Sequence, residues 1–460
     1  MTEFTSAQRS PRVARPDVVH GDDWRFPLPR VETLDNGLEV WAYHLPGQHV
    51  AALDLVQPIA LDVEAAGVEG VANLALRVSD EGTAAHPDGR ISELLENVGA
   101  AYDGRITHAT TVSSLDVPMT RFAAALPLFA EIVSTPAIST EDVARHQSLR
   151  IAELEQALVN GAQSANLAVR ALRWRPGTRA SQPVGGTRAT VSAITAEDVR
   201  EFHAQHWGPD GSVLVVAGDF AVDPIEQLNQ TVGAWRASTQ PRAASSQDQF
   251  AAQPSTRTVT LVHRPGAVQI DLRVAGQGVD RHHPDWAPLQ VASVAVGGSF
   301  LSRLNRVIRE ELGYTYGINL TAQPQRVGGT WTVSANIRTD VAVPALDQTL
   351  RLLDLTDAPL DEAEVADAVN QIVGVAPLHY DTAEAIVGQA SSLAAAGVTP
   401  DQVNVHHDAL RRVTAHSATA AHQRLVGNGH GHVVVVGDAE QLTGPLEAAG
   451  YQVRMLELDV

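Results

Sequence analysis

The side chains that could do chemistry are unevenly supplied along this 460-residue chain. Cysteine is absent, which removes thiolate nucleophiles, disulfides and every cysteine-based zinc site together. Histidine is plentiful. His203 and His206 lie three apart, His282–His283 and His406–His407 are adjacent, and His430 and His432 bracket a glycine. Imidazoles one helical turn apart can share a metal, but none of these pairs has a carboxylate or a third histidine at a recognisable ligand spacing. Ordinary core or surface histidines are the preferred reading. Gly297, Gly298 and Ser299 form a short glycine-rich link that could cradle a phosphate. No G-x-x-x-x-G-K-[ST] follows, however, and the chain has no lysine at all, so its 33 cations are all arginine. A strand-to-helix turn is the simpler expectation there.

Those 33 arginines face 53 acidic residues, a formal charge of −20. This balance counts against nucleic acid or an anionic membrane surface as the main partner and leaves basic peptides open. The composition, 44% apolar and 19% charged, is that of a globular protein, and the length suits two to four domains. No apolar run approaches the ~20 residues that span a bilayer, and Met1–Arg9 lacks an apolar core of signal-peptide length. With no cysteine to protect, the expectation is a cytoplasmic protein.

The elements that must position any site come in duplicate. His44-Leu-Pro-Gly47 and the alternating run after it recur as His263-Arg-Pro-Gly266. Thr195 recurs at Thr414, His203 at His422, and the strand ending at Asp219 recurs ending at Asp438. Every pair is offset by 219, as in 263 − 44 and 438 − 219. Two similar halves follow, 22–235 and 257–460, behind an N-terminal arm 1–21 and joined by a Ser/Gln/Ala/Pro-rich linker 236–256. Within a half, Gly37–Tyr43 and Val50–Val56 alternate as strands do. Ser139-Thr-Glu-Asp142 and Thr195-Ala-Glu-Asp198 place a hydroxyl three residues before a carboxylate, the signature of a helix start. Thr399-Pro-Asp-Gln402 predicts another, with proline at the first helical position. Strands and helices segregate more than they alternate. The expectation is therefore α+β, each half a mostly antiparallel sheet packed with helices.

Three segments, in order, carry a family resemblance: Thr33–Val40, Gly67–Thr83, and Gly297–Leu304 running into Ile308–Tyr316. With the Gly-Asp strand ends they resemble the insulinase/pitrilysin family of zinc metallopeptidases, in its short-chain bacterial and mitochondrial-processing branch, over nearly the whole chain. The resemblance implies two duplicated α+β halves forming half of a clam-shell chamber. Active members carry an inverted H-x-x-E-H helix, two histidines binding zinc and the glutamate acting as general base, with a glutamate on a later helix as third ligand. The matching positions here are Asn73, Leu76 and Arg77, with Glu153 near the third-ligand position and Glu155 as the alternative register. Asparagine is a poor zinc ligand, leucine takes no proton, and arginine brings a cation to the place of a dication. No metal is expected in this chain. The offset of 219 puts Ala292, Ala295 and Val296 at the same places in the second half, which is no better.

The later segment departs less from the family. Arg309 and Tyr316 keep a seven-residue spacing that the resemblance assigns to substrate contact beside the zinc of another half or subunit. Without the resemblance, Arg309 would end a charged helix face and Tyr316 would fill a core strand. Gly297, Gly298 and Ser299 become a candidate substrate-contacting loop. Gly99–Thr107, which includes Tyr102, matches an edge strand that pairs with substrate backbone, or is an ordinary hairpin strand. The resemblance thus implies the non-catalytic subunit of a heterodimer that binds peptide, its zinc held by a homologous partner subunit. The other readings are an inert peptide-binding or assembly scaffold and, less favoured, an enzyme with an unrelated site.

Overall fold

Two six-stranded sheets organise the chain. The computed structural model describes residues 24–236, 238, 250–326 and 328–458, so the expected arm 1–21 and much of the expected linker 236–256 lie outside the described residues. The first sheet contains β1 (Arg30–Thr33), β2 (Glu39–His44), β3 (Val50–Gln57), β4 (Ala101–Ile106), β5 (Thr111–Pro118) and β6 (Val213–Gly218), in the order β1-β2-β6-β3-β5-β4. The second contains β7 (Thr258–His263), β8 (Gln269–Gly278), β9 (Ile318–Pro324), β10 (Gly329–Arg338), β11 (His432–Gly437) and β12 (Gln452–Met455), in the order β12-β7-β11-β8-β10-β9. Most neighbours are antiparallel; β2–β6, β7–β11 and β12–β7 are parallel.

The repeat holds far beyond the four matches seen in the sequence. β2 and β7 both begin 219 apart (258 − 39), as do β3 and β8 (269 − 50) and the helices Ala196–His206 and Ala415–Leu425 (415 − 196). Its matched motifs touch each other. Asp219 at the end of β6 accepts from the Gly47 N–H at 2.9 Å, and Asp438 after β11 accepts from the Gly266 N–H at 3.0 Å. The turn and the strand end were thus duplicated as one hydrogen-bonded unit. Within the two described sheets the symmetry fails at one edge, where β1 lies antiparallel to β2 while β12 lies parallel to β7.

Each half has its own core, one running from Leu34 to Trp235 and the other from Val259 to Tyr451. The central strands are nevertheless buried on both faces, because the halves exchange helices. Gly161–Arg173 leaves the first half and packs Ala165, Ala168 and Val169 against Val262, Val434 and Val436 of the second sheet. Ala383–Ala396 does the converse, laying Ile386, Val387 and Ala390 on Trp41, Ala52 and Val215. This exchange explains the near-continuous apolar runs of β6 and β11, which a sheet wetted on one face would not need.

Local signals mostly decide where helices begin. Ser139 caps Thr140–Val159 by accepting from the Asp142 N–H at 3.0 Å, and Thr195 forms the reciprocal box with Asp198. Two expectations need correction. The helix after Thr399 starts at Gln402, because Pro400 and Asp401 form a turn ahead of it. Gly297–Gly298 ends a helix in a wide π-type turn and does not link a strand to one. The described end of the linker region is also tied down: Phe250 stacks on Trp174 at 4.3 Å and the Ala251 N–H donates to the Arg173 carbonyl at 2.8 Å.

A degenerate metal site and an exposed loop

The helix Val71–Arg77 carries the first three family positions and is positioned with care. Its N-terminus is held by the buried Glu64 carboxylate, which accepts from the Gly70 and Ala72 N–H groups at 3.1 and 3.0 Å. A carboxylate suits the positive end of a helix. Burial pushes the Glu64 carboxyl up, against the pull of Arg179 at 2.5 Å and of the two N–H groups. Arg179 in turn donates to the Pro183 and Val184 carbonyls, fastening the next loop. Gly70 sits at φ +105°, and a Cβ there would lie 2.7 Å from the Gly185 carbonyl oxygen. Only glycine fits.

On this helix the residues at the expected zinc positions make other contacts. Arg77 donates twice to Glu153, at 2.7 and 3.0 Å, in a bidentate fork, and Arg150 adds a third contact at 3.2 Å. Burial alone would raise the Glu153 carboxyl, but the hydrogen bonds and charges of Arg77 and Arg150 outweigh it and hold the group below its ordinary range. A guanidinium therefore occupies the space between the helix and Glu153, the glutamate expected near the third-ligand position. Glu155, the alternative register, pairs instead with Arg188. Asn73 is buried with its Oδ1 unpartnered, and Leu76 is buried beneath the edge strand β4, where a Cβ on Gly104 would meet its Cγ at 2.8 Å. These residues do not fit a zinc ion: one carboxylate remains, and it is already neutralised by two cations. Among the described residues no group of three His, Cys, Asp or Glu side chains is arranged to hold a metal.

The paired histidines are structural where they are buried. His203 stacks on Trp207, and His422 bonds the Leu353 carbonyl at 3.0 Å. Burial lowers both to about 4. His406 lies flat against Trp286 and bonds Gln290.

β4 is the edge of its sheet, and most of it is exposed. Tyr102, however, points inward. Its hydroxyl lies 3.0 Å from Ser79 Oγ and 3.2 Å from Ser113 Oγ, its ring packs near Phe129, and burial pushes it up to about 12. Any ligand on this edge would meet the backbone of residue 102 and not its phenol.

The second half presents the other group. Gly297 is tight against Leu320 and Leu304, where a Cβ would stand 2.6 and 2.8 Å from their side chains. The turn that follows Gly298 and Ser299 exposes Phe300 and Leu301 at 70% and 81%. A second π-type segment, Asn305–Glu311, carries Arg309. Such wide turns are rare and concentrate at functional sites. The Arg309 guanidinium lies 3.6 Å over the Phe300 ring, donates to the Phe300 carbonyl at 3.1 Å and pairs with Glu310 at 2.8 Å. Tyr316 fills no core strand. It stands 96% exposed just before β9. The structure thus brings Arg77 of the helix Val71–Arg77 against Glu153 of Thr140–Val159, while Gly297–Ser299, Arg309 and Tyr316 belong to a separate stretch of the second half that contains two π-type segments. No hydrogen bond or ion pair joins the two groups among the described residues. The Glu64–Arg179 brace and the Arg77–Glu153 pair were missed by sequence reasoning, since partners 115 and 76 residues apart leave no local trace.

Comparison with known proteins agrees with this architecture. Residues 61–181 match the family profile "Insulinase (Peptidase family M16)", and residues 193–372 match "Peptidase M16 inactive domain". An uncharacterized zinc protease of Rickettsia bellii is 23% identical over 321 residues, 67% of this chain and 74% of that protein. One from Mycobacterium tuberculosis is 24% identical over 294 residues, 63% of this chain and 66% of its own length. Among solved structures, a peptidase inactive domain from Pseudomonas fluorescens superposes with a TM-score of 0.81 at 21% identity, covering 93% of this chain and all of that one. A putative M16-like peptidase from Alicyclobacillus acidocaldarius gives 0.75 at 18%, covering 90% and 99%. At such identities the structural likeness is one of fold. The two profile matches, which together run along most of the chain, show that it belongs to the insulinase family.

Proposed function

We propose that this chain is the non-catalytic subunit of a heterodimeric zinc metallopeptidase. Its two peptidase-like domains, 22–235 and 257–460, would form half of a chamber, bind peptide, and supply Arg309 and Tyr316 to the active site of a zinc-bearing homologous partner in the cytoplasm. The observation that carries this reading is the contrast within one helix. The Glu64–Arg179 brace that positions Val71–Arg77 is complete, while the metal site it would serve is closed by the Arg77–Glu153 pair. The scaffold has been kept and the hydrolytic chemistry lost, as expected of a chain that works through a partner. Tyr316 supports the trans role, since a phenol standing 96% exposed just before β9 is free to reach a substrate carbonyl.

The scaffold reading has its own support in Arg309, whose guanidinium is already engaged by Phe300 and Glu310. One experiment separates the two. The chain is co-purified with the H-x-x-E-H partner, and Arg309→Ala and Tyr316→Phe are compared for turnover and dimer content. Loss of an oxyanion-type donor costs about a hundred- to a thousandfold in turnover. A loss of that size at unchanged dimer content is the expected result. Full activity in both variants would leave the chain a scaffold.

A further inference from the structure

A cavity of about 630 Å³ lies at the junction of the halves, and none of Asn73, Leu76, Arg77 or Glu153 is in its described lining. It is walled by the end of the helix Gly161–Arg173, the end of the helix Ala383–Ala396, and the hairpin tips that follow β4 and β9. Its charge is opposite to that of the molecule. Arg170, Arg173, Arg281 and Arg326 line it, and Asp62 is the one carboxylate in the described lining, in a chain of net charge −20.

These guanidinium groups have neutral partners. Arg170 donates to the Ala180 carbonyl and contacts the His108 ring, Arg173 donates to Thr332 Oγ1 at 2.9 Å, and Arg281 donates to Ser392 Oγ at 2.7 Å. The buried Nε of Arg173 and of Arg281 has no acceptor. Among the described residues none of the four makes an ion pair. Burial lowers Arg170 and Arg173 to about 10, and burial together with Arg170 and Arg179 keeps His108 neutral, at about 3. Cations removed from water without a counterion are unfavourable, and an anion that reached them would relieve that cost. Trp174, stacked on Phe250, supplies an apolar wall that keeps water away and strengthens such an interaction.

We propose that this cavity is a binding site for a compact multivalent oxyanion, the condensed phosphate of a polyphosphate or a nucleotide. Arginine forks match phosphate oxygens in pairs. Four cations in one bounded cavity call for several negative charges close together. An extended acidic peptide is a poorer fit, because its same-facing carboxylates are ~7 Å apart and alternate ones point away. The inference is independent of the peptidase reading and concerns this chain alone.

The test is calorimetric titration of the purified full chain with sodium tripolyphosphate, in phosphate-free buffer at low ionic strength. Saturable binding at one per chain is expected, with affinity at least about tenfold lower in Arg173→Gln and in Arg281→Gln, the loss of one charge-assisted contact. Arg326→Gln, at an exposed position, preserves folding and should weaken binding severalfold, so the outcome does not hang on the buried variants. ATP serves as a second arm. Equal affinity assigns recognition to the phosphates, and tighter ATP binding adds the Trp174 wall. The proposal is overturned if neither anion binds saturably, if all three variants bind as the unmodified chain does, or if hexaglutamate binds while tripolyphosphate does not.

Discussion

At the scale of single residues, the decisive substitution is Arg77. Its guanidinium satisfies Glu153 with the geometry a carboxylate prefers, so the carboxylate is stable there without a metal. This pair is partly exposed and contributes little to overall stability. Restoring the motif should therefore restore the metal. We expect the triple variant Asn73→His, Leu76→Glu, Arg77→His to bind one zinc per chain by metal analysis, since the helix brace and Glu153 are already in place. Because Leu76 is buried, the same variant should lose about 2 kcal/mol or more in the metal-free state, an uncompensated polar group in the core, and regain it with zinc. A triple variant that takes up no zinc would show that Glu153 is not within ligand reach. Tyr316→Phe belongs to the opposite class. At 96% exposure its melting transition should be unchanged, within about 0.5 kcal/mol, whatever it does to turnover.

At the scale of elements, the exchanged helices join the halves. Ile386 and Leu393 of Ala383–Ala396 are buried in a cluster with Trp41, Tyr43, Ala52, Val215 and Ala217 of the first sheet. Truncating either to alanine should cost about 2–5 kcal/mol, the usual penalty for a buried aliphatic side chain. The loss should appear in chemical denaturation, with faster hydrogen exchange in β3 and β6, which lie under that helix. A variant that loses stability with exchange confined to the second half would contradict the exchanged packing. Gly161 plays the matching part at the other crossing, where a Cβ would collide with the Asp271 carboxylate. Gly161→Ala should thus destabilise by about 1–3 kcal/mol, although alanine is ordinarily the better helix former.

At the scale of the whole molecule, burial of histidine sets the response to acid. His108, His203, His406, His422 and His432 are lowered to about 3 or 4, chiefly by desolvation. Below the unfolded value of about 6.5 the unfolded chain takes up protons at these sites and the folded chain does not, so stability falls as pH falls. For the fully buried His422 the loss between pH 7 and 5 is on the order of 2 kcal/mol. Asp116 works the other way. Burial, then Glu384 and Asp54, raise it to about 6, so the folded state keeps a proton that the unfolded state releases, and its contribution is lost as pH rises. Burial raises the Glu64 and Asp80 carboxyls in the same sense as Asp116. It lowers six histidines, His407 included, so the urea midpoint should be lower at pH 5 than at pH 7. Equal midpoints would mean that these rings are protonated in the folded state.

How much was legible without coordinates follows from the range of each interaction. The caps at Ser139 and Thr195 and the alternation of β2 and β3 are local, so the residues themselves determined them. The duplication was readable because both copies kept the turn and the strand-end aspartate that hold each other, Gly47 with Asp219 and Gly266 with Asp438. The unsuitability of Asn73, Leu76 and Arg77 as zinc ligands is a matter of side-chain chemistry and needs no fold. Tertiary structure alone decided that Arg77 meets Glu153, because the fork joins residues 76 apart on two helices. It also decided that Tyr102 faces inward, that Arg309 is stacked on Phe300, and that each half lends a helix to the other's sheet. The arginines of the central cavity lie at 170, 173, 281 and 326, and only the packing of one half on the other sets them around a common space. Burial and long-range pairing are properties of the folded chain, and no local pattern of residues encodes them.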